Sequence, residues 1–299
     1  MAGFAGHRRD VGTQRPDSDV PRLDQMPELP EVETVRRDLH EVICGRTIGA
    51  VVLGRLRTVR RYPDPEDFRA ALIGRTVVGT GRLGKYLLVQ LDDGANLVIH
   101  LRMSGQIFHT PISEELRPHT HVRLELNDGS EVRFVDPRTF GEMFVVSPGD
   151  PALAHVGLDA LDPLLTGASL HRSARSRRVA LKPFLLDQTV LAGVGSIYAD
   201  EICFAAGLQP GRSVARISKP QFDRVHESLT EILLSAIEAR GSTLGDGQYV
   251  GLDGKPGTFA ARHQVHARFN APCRVCGAAI QRGVISQRSA YWCPTCQVR

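Results

Sequence analysis

Tyr86-Leu87-Leu88-Val89-Gln90-Leu91-Asp92-Asp93-Gly94-Ala95-Asn96-Leu97-Val98-Ile99-His100-Leu101 reads as two strands joined by a tight turn. Aliphatic and β-branched residues crowd both arms, and the Asp-Gly between them accepts the positive φ of a hairpin turn. Working outward, strand-like runs recur at 48–53, 76–80, 122–126, 132–135 and 143–146, with a second Asp-Gly at Asp128-Gly129. Upstream, Val32, Val35, Leu39, Val42 and Ile43 form one apolar helical stripe that Gly45 stops. A short helix over 65–72 has Asp64 as its cap and Gly74 as its end. Residues 26–147 therefore read as a helix leading into a mostly antiparallel β-sandwich.

Beyond it, residues 148–165 are rich in Pro, Gly and Asp and read as a linker. The pattern then turns helical over 166–265. A helix over 196–206 ends at Gly207, and a longer one over 219–240 ends at Gly241. Ser218 and Gln221 have capping-box spacing at the start of the longer helix, and Pro220 suits its first turn. The loop 245–257 holds five glycines in thirteen residues, an unusual length and composition inside a compact domain. It is expected to be a mobile lid. Residues 1–25 mix four Arg with four Asp and lack periodicity. They read as a disordered extension or as the product of an upstream start, with Met26 the preferred beginning.

The 299 residues, 42% hydrophobic and 23% charged, describe an ordinary globular protein of more than one domain. No apolar run approaches the roughly 18 residues that span a membrane, and the first residues lack a secretion signal. Cytoplasmic residence is the expectation. The net charge of +4 is modest, but its distribution is uneven. Arg172, Arg175, Arg177, Arg178 and Lys182 lie together with no acid among them, and six arginines follow from Arg262 onward without one carboxylate. Either cluster alone suits a solvated face as well as a phosphate backbone. Two in one chain favour nucleic acid.

Cys273-x2-Cys276 and Cys293-x2-Cys296 have the spacing of two knuckles that share one tetrahedral Zn2+. Four protein ligands close the site, so its role is structural. Arg282 and Arg288 fall between the knuckles, where a hairpin tip would reach a phosphate. Cys44 and Cys203 sit on helical apolar faces and read as small buried hydrophobes.

Met26-Pro27-Glu28-Leu29-Pro30-Glu31-Val32-Glu33-Thr34-Val35-Arg36-Arg37 resembles the N-terminus of the formamidopyrimidine-DNA glycosylase branch of the Fpg/Nei family. Gly84-Lys85-Tyr86-Leu87-Leu88, His100-Leu101-Arg102-Met103-Ser104-Gly105 and Asp136-Pro137-Arg138-Thr139-Phe140-Gly141 resemble its internal blocks. So do Gly193-Val194-Gly195-Ser196-Ile197-Tyr198-Ala199-Asp200-Glu201, Asp253-Gly254-Lys255-Pro256-Gly257 and the four-cysteine finger, all in family order over 26–299. The resemblance implies an α+β multidomain fold: a catalytic β-sandwich with a leading helix (26–147), a helix–two-turn–helix DNA-binding domain (166–265) and a zinc-finger β-hairpin (266–299). It also implies excision of 8-oxoguanine and formamidopyrimidines from double-stranded DNA, then strand cleavage by β,δ-elimination at the abasic site.

The family's chemistry needs an amine that attacks the sugar C1′ and leaves an imine. By resemblance that amine is Pro27 as a free N-terminus, near neutrality in its pKa and so partly unprotonated. As an internal amide the same nitrogen is inert. Glu28 and Glu31 also suit the positive end of a helix dipole. The resemblance makes Glu28 the general acid/base and places Glu31 in the lesion pocket. Lys85 would contact a flanking phosphate and support catalysis. Met103 and Phe140 would fill the void left by the extruded base, with Arg138 on the orphaned cytosine. Lys182, Ser196, Tyr198 and Arg288 would anchor phosphates, and Lys255 would sit near the lid. Ser196 departs from the pattern, since the family usually carries Asn there. A monomer, associated with the nucleoid, is the expected state. Two other readings stand beside the enzyme. One is a non-catalytic damage-binding protein, should residues 1–25 stay attached. The other is an endonuclease VIII-like glycosylase for oxidised pyrimidines, against which Leu29 argues.

Overall fold

The computed structural model describes residues 26–245 and 247–298; residues 1–25, on which the expectation of a disordered extension falls, lie outside them. In chain order the first half comprises α1 (Leu29–Ile43), β1 (Ile48–Leu53), α2 (Pro65–Ala70), β2 (Val77–Leu83), β3 (Tyr86–Leu91), β4 (Asn96–His100), β5 (Gln106–Pro111), β6 (Thr120–Leu126), β7 (Ser130–Val135) and β8 (Glu142–Val146). Two four-stranded sheets form, ordered β1-β6-β7-β5 and β2-β3-β4-β8, and every pairing is antiparallel. The expected hairpins are both present, with Gly94 at φ +82° and Gly129 at φ +85°.

Leu87, Val89, Leu97 and Ile99 from one sheet meet Ile107, Val122, Leu124 and Phe134 from the other, and α1 closes the core with Val32, Val35 and Leu39. Burying each such side chain stabilises by about 2 kcal/mol over leaving it in water. Asp64 caps α2 by accepting the Glu66 N–H at 2.9 Å. Strand β5 was not expected. Gln106, His109 and Thr110 break its alternation and Pro111 ends it, which suits a strand at the sheet edge. Strand β2 runs on to Leu83, past the Gly79 and Gly81 that blur its pattern.

The second half holds β9 (Leu158–Asp159), α3 (Gly167–Ala174), α4 (Leu181–Leu186), β10 (Leu191–Ala192), α5 (Ser196–Ala205), α6 (Lys219–Glu238), β11 (Gln281–Ile285) and β12 (Arg288–Trp292). Leu170, Phe184, Ile202, Phe222, Leu229 and Leu233 join the helices into a second core. The capping box at α6 is formed, with the Ser218 N–H donating to Gln221 Oε1 at 2.9 Å. Helices α3 and α4 flank the stretch first noticed for its arginines: Arg172 and Lys182 lie on them, and Arg175, Arg177 and Arg178 fall between.

The 148–165 segment is not slack. Its β9 pairs in parallel with β10, and Asp159 is bound by Arg82 of the sandwich. In the C-terminal finger, Ser286 and Gln287 adopt φ +48° and +63°, the two-residue turn that matches strand twist. Among the described residues that unit's core is Val265, Cys273, Ile280 and Cys293, with Phe204, Ala278, Tyr291 and Cys296 partly buried against it, too few to hold it without further support. Among the described residues no helix is long and apolar enough to cross a membrane.

Candidate active site

The site lies where the first turn of α1 meets the N-terminus of α5. Glu28 Oε2 accepts the Gly195 N–H at 2.6 Å and Oε1 accepts the Ile197 N–H at 2.9 Å. The Leu29 N–H donates to the Gly193 carbonyl at 3.0 Å. The Gly-Val-Gly sequence is what lets these segments touch. A Cβ on Gly195 would stand 2.3 Å from Glu28 Cδ, and one on Gly193 2.6 Å from Leu29 Cδ1. The helix dipole and two N–H donors favour the Glu28 carboxylate. Burial outweighs them, with Lys85 opposing it, and the pKa is raised.

Glu31, one turn further along α1, is also buried. It accepts the Tyr198 hydroxyl at 2.6 Å, the Ser242 N–H at 2.7 Å and the Glu28 N–H at 2.9 Å. Burial, then the neighbouring Glu28 charge, push it up to about 7. Lys85, in the turn just before β3, is lowered by burial against the pull of Glu28 and Glu31. Three titratable groups with opposed perturbations in one cleft mark a candidate catalytic centre. One arm of that cleft is lined by Pro27, Glu31, Met103, Ile197, Ser242 and Tyr249, and the adjoining arm by Glu28, Lys85, Gln188, Ser196 and Arg288. Met26 borders both arms, and Pro27, buried beside it, lines the first.

Met103, Arg138 and Phe140 come from two loops that Asp136 ties together. Its Oδ1 takes the Ser104 hydroxyl and the Arg138 N–H, the latter at 3.3 Å, and its Oδ2 takes the Gly141 N–H at 2.7 Å. Phe140 is 40% exposed, and the Arg138 guanidinium lies 5.1 Å from its ring. An aromatic ring left in water on a braced loop suits contact with another molecule.

Two expected phosphate anchors are corrected. Lys182 is entirely buried, paired with Asp200 at 2.8 Å and donating to the carbonyls of Ser196 at 3.3 Å and Ser289 at 2.5 Å. Its charge is spent on joining α4, α5 and β12. Tyr198 is likewise fully buried, its hydroxyl on Glu31, with burial the first cause of its strongly raised pKa. Ser196 and Arg288 do face the open cleft.

The 247–257 loop is packed down rather than free. Tyr249 and Leu252 are buried against the sandwich core, the Tyr249 hydroxyl donates to the Arg240 carbonyl at 3.0 Å, and Gln106 Nε2 donates to the Gln248 carbonyl at 2.7 Å. Lys255 stands exposed beside Asp253 at 3.1 Å. Arg288 borders the hairpin turn, but Arg282 pairs opposite Tyr291, away from the tip. Cys44 is half-buried at the end of α1, its Sγ 3.2 Å from His40 Nδ1, whereas Cys203 is buried as expected. Arg172, Arg175 and Arg178 are exposed, while Arg177 is held by Asp187 at 2.8 Å.

The four finger cysteines converge, all Sγ atoms lying within 4.8 Å of one another. The Cys276–Cys293 and Cys273–Cys296 separations are 3.4 and 3.9 Å. A tetrahedron with metal–sulfur bonds of about 2.3 Å has edges of about 3.8 Å. The thiols fit a metal without rearrangement.

Residues that the sequence reading passed over include Ser242, Tyr249, Gln188 and Asp136. Ser242 and Tyr249 follow α6 in a Gly-rich segment, whose length was the only signal that it reaches the cleft.

Comparison with known proteins gives a consistent picture. Residues 26–143 match the formamidopyrimidine-DNA glycosylase N-terminal domain, 156–247 its H2TH domain, and 271–298 the zinc finger found in FPG and IleRS. The formamidopyrimidine-DNA glycosylase of Halorhodospira halophila is 43% identical over 276 residues, covering 91% of this chain and 100% of the relative. The crystal structure of MutM (Fpg) from Thermus thermophilus is similar with TM-score 0.82 and 38% identity over 91% of this chain and 98% of that one. Lactococcus lactis Fpg in complex with abasic-site DNA gives 0.83 and 30%, over 91% and 100%.

Proposed function

The chain belongs to the formamidopyrimidine-DNA glycosylase family and is a base-excision-repair glycosylase; from that premise we propose that it excises oxidised purines through the imino nitrogen of Pro27 and then cleaves the strand. Freed as an N-terminal secondary amine, Pro27 attacks C1′ of the damaged nucleoside, and the base departs with its electron pair and a proton. The imine left on the sugar is the electron sink for successive β- and δ-elimination of the two phosphates. The family match begins at Met26, one residue before that nitrogen, which supports the assignment.

The observation that carries this reading is the convergence of Pro27, Glu28, Glu31 and Lys85 on one cleft. Glu28, held by two N–H donors yet raised by burial, shuttles protons during ring opening. Glu31 lines the pocket for the extruded base. Lys85, Ser196 and Arg288 share the adjoining arm and meet the phosphates flanking it. Met103 and Phe140 fill the gap in the stack while Arg138 meets the unpaired partner base. One Zn2+ on Cys273, Cys276, Cys293 and Cys296 holds the hairpin that carries Arg288. The substrate is double-stranded DNA bearing 8-oxoguanine, formamidopyrimidines or abasic sites, and the protein acts as a monomer.

Borohydride trapping on an 8-oxoguanine duplex tests the nitrogen, with intact mass reporting where the chain begins. A protein starting at Pro27 gives a covalent adduct. No adduct from such a protein defeats the mechanism. With Met26 still joined, the nitrogen is an amide and the same surface reads damage without cutting. Excision of 8-oxoguanine in preference to thymine glycol separates this reading from an oxidised-pyrimidine enzyme.

A further inference from the structure

Each of the two residues read as filling the gap in the base stack follows a non-glycine residue in the left-handed region. Arg102, at φ +53°, precedes Met103, and Thr139, at φ +57°, precedes Phe140. Eight described non-glycine residues have a positive φ, and Thr139 alone among them is β-branched, the side-chain class this backbone suits least. Such a conformation persists only where its surroundings hold it.

At Arg102 the hold is local, its N–H donating to His100 Nδ1 at 3.0 Å. At Thr139 it comes from both sides of the loop. On one side Asp136 takes the N–H groups: its carbonyl accepts that of Thr139 at 3.2 Å, and its carboxylate those of Arg138 and Gly141. On the other side two arginines take the carbonyls. Arg57 Nε donates to the Thr139 carbonyl at 3.1 Å, Arg60 Nη1 to that of Gly141 at 2.9 Å, and Arg60 Nη2 to that of Phe140 at 3.4 Å. Three successive carbonyls are thus bound by side chains 80 to 82 residues earlier in the chain.

Those arginines are themselves fixed. Arg57 lies in a single 3-10 turn, Leu56–Val59, and Arg60 ends it. Val59 belongs to the sandwich core, and Arg60 Nη1 also donates to the Arg57 carbonyl at 3.1 Å. The buried Glu142 carboxylate lies 3.4 Å from Arg60 Nη2 and 2.9 Å from Arg61 Nε, so the Arg60 charge is partnered within the protein. Gly105 and Gly141 both back onto the Phe134 ring, where a Cβ would collide with it, and this seats the two loops side by side. The Phe140 side chain is left standing out in water.

We propose that Arg57 and Arg60 are positioning residues. By binding the carbonyls of Thr139, Phe140 and Gly141 they keep Thr139 left-handed and so aim Phe140 at the opened base stack. This rests on the reading of Phe140 as the residue that fills the gap. Without the guanidinium bonds Thr139 relaxes to negative φ, the following peptide turns, and the ring leaves its direction. A ring aimed before DNA arrives spares the cost of ordering its loop on binding.

The test uses the intact metal-loaded protein and a duplex with a tetrahydrofuran abasic analogue opposite cytosine, 2-aminopurine being placed on either side of that cytosine. Fluorescence reports the opened stack, and no step needs the Pro27 nitrogen. Phe140→Ala sets the signal without the ring. Arg60→Met keeps the stem and loses the guanidinium; its signal is expected to move at least about halfway to that of Phe140→Ala. Its affinity for the analogue falls about three- to tenfold, the worth of one or two partly solvated hydrogen bonds, while undamaged duplex binds within about twofold of the unaltered protein. Adding Thr139→Asn to Arg60→Met restores the signal, because asparagine takes left-handed backbone readily. Mere loss of the Leu56–Val59 turn would not be rescued at that position. Should Arg60→Met not fold, Arg57→Met gives a smaller change in the same direction. An Arg60→Met signal equal to that of the unaltered protein overturns the proposal, as does failure of Thr139→Asn to restore it. Equal weakening on damaged and undamaged duplex also overturns it and makes Arg60 a phosphate contact. If Phe140→Ala itself matches the unaltered protein, Phe140 fills no gap, and the reading beneath the proposal falls with it.

Discussion

Arg82 and Asp159 are joined side by side across the seam between the β-sandwich and the helical domain, with N–O distances of 2.5 and 3.1 Å. Asp159 also accepts the Gly84 N–H at 2.7 Å, one residue from Lys85. Both side chains are largely buried, and Arg82 also pairs with Glu33 at 3.3 Å, so removing Asp159 leaves the guanidinium half-paired and the Gly84 N–H without its acceptor. Asp159→Ala is expected to destabilise by about 3 kcal/mol and to impair excision by displacing Lys85. Thermal unfolding and excision assays check this, and a stable variant of full activity would contradict it.

Ser196 faces the cleft arm that also holds Arg288 and Lys85. A serine hydroxyl has one proton to donate and an amide has two. Ser196→Asn should tighten binding to abasic-site DNA by about two- to tenfold, the worth of one added hydrogen bond. Gel-shift affinities at fixed salt decide it; equal or weaker binding counts against a phosphate role.

The finger's fully buried core is small and two of its members, Cys273 and Cys293, are themselves thiols of the cluster, so its fold depends on the metal. One zinc per chain is expected by elemental analysis. Its removal by chelation should abolish DNA binding while the sandwich keeps its β-sheet circular dichroism. Binding that survives complete metal loss would break the link between the thiol cluster and Arg288.

Glu31 gives stability a pH dependence whose sign is fixed. Burial and then Glu28 raise it from 4.5 to about 7, so between those values the folded state holds a proton the unfolded chain lacks. Its contribution is complete below the unfolded value and lost as pH climbs through the folded one, up to about 3 kcal/mol. Glu31→Gln, neutral throughout, should show a shallower fall in Tm from about pH 5 to about pH 8. Parallel curves would argue against the raised pKa.

Glu28→Gln must aim an amide NH2 at either the Gly195 or the Ile197 N–H, donor against donor. Excision should drop by about a hundredfold or more, the usual worth of a general acid/base, with DNA affinity much less affected. Loss of affinity and rate together would mean that Glu28 serves docking alone.

Local chemistry made much of the fold legible. The Asp-Gly pairs fixed two hairpins, the Ser218–Gln221 spacing fixed the start of α6, and the cysteine spacing announced the finger. What escaped was set by distant partners. A lysine in an arginine-rich run looks solvated, yet Lys182 is neutralised by Asp200 eighteen residues on and capped by Ser289 another 89 beyond that. Tyr198 lies in a recognisable block, but its hydroxyl reaches 167 residues back to Glu31. Of the candidate site, Glu28, Glu31 and Lys85 come together as the motifs suggested. The supporting Ser242 and Tyr249 had no pattern to give them away.

The clasp between Glu28 and the N-terminus of α5 also bears on the chain while it is being made. Glu28 is among the first residues translated after Met26, but its two N–H donors come 167 and 169 residues later. Until then the Glu28 carboxylate has neither donor, and the cleft that Ser196, Ile197 and Ser242 help to line is unfinished. A nascent or truncated polypeptide therefore holds the first turn of α1 without its counterpart, and the site is completed only when the second domain docks. Synthesis order keeps the two halves of the cleft apart until most of the chain has been made.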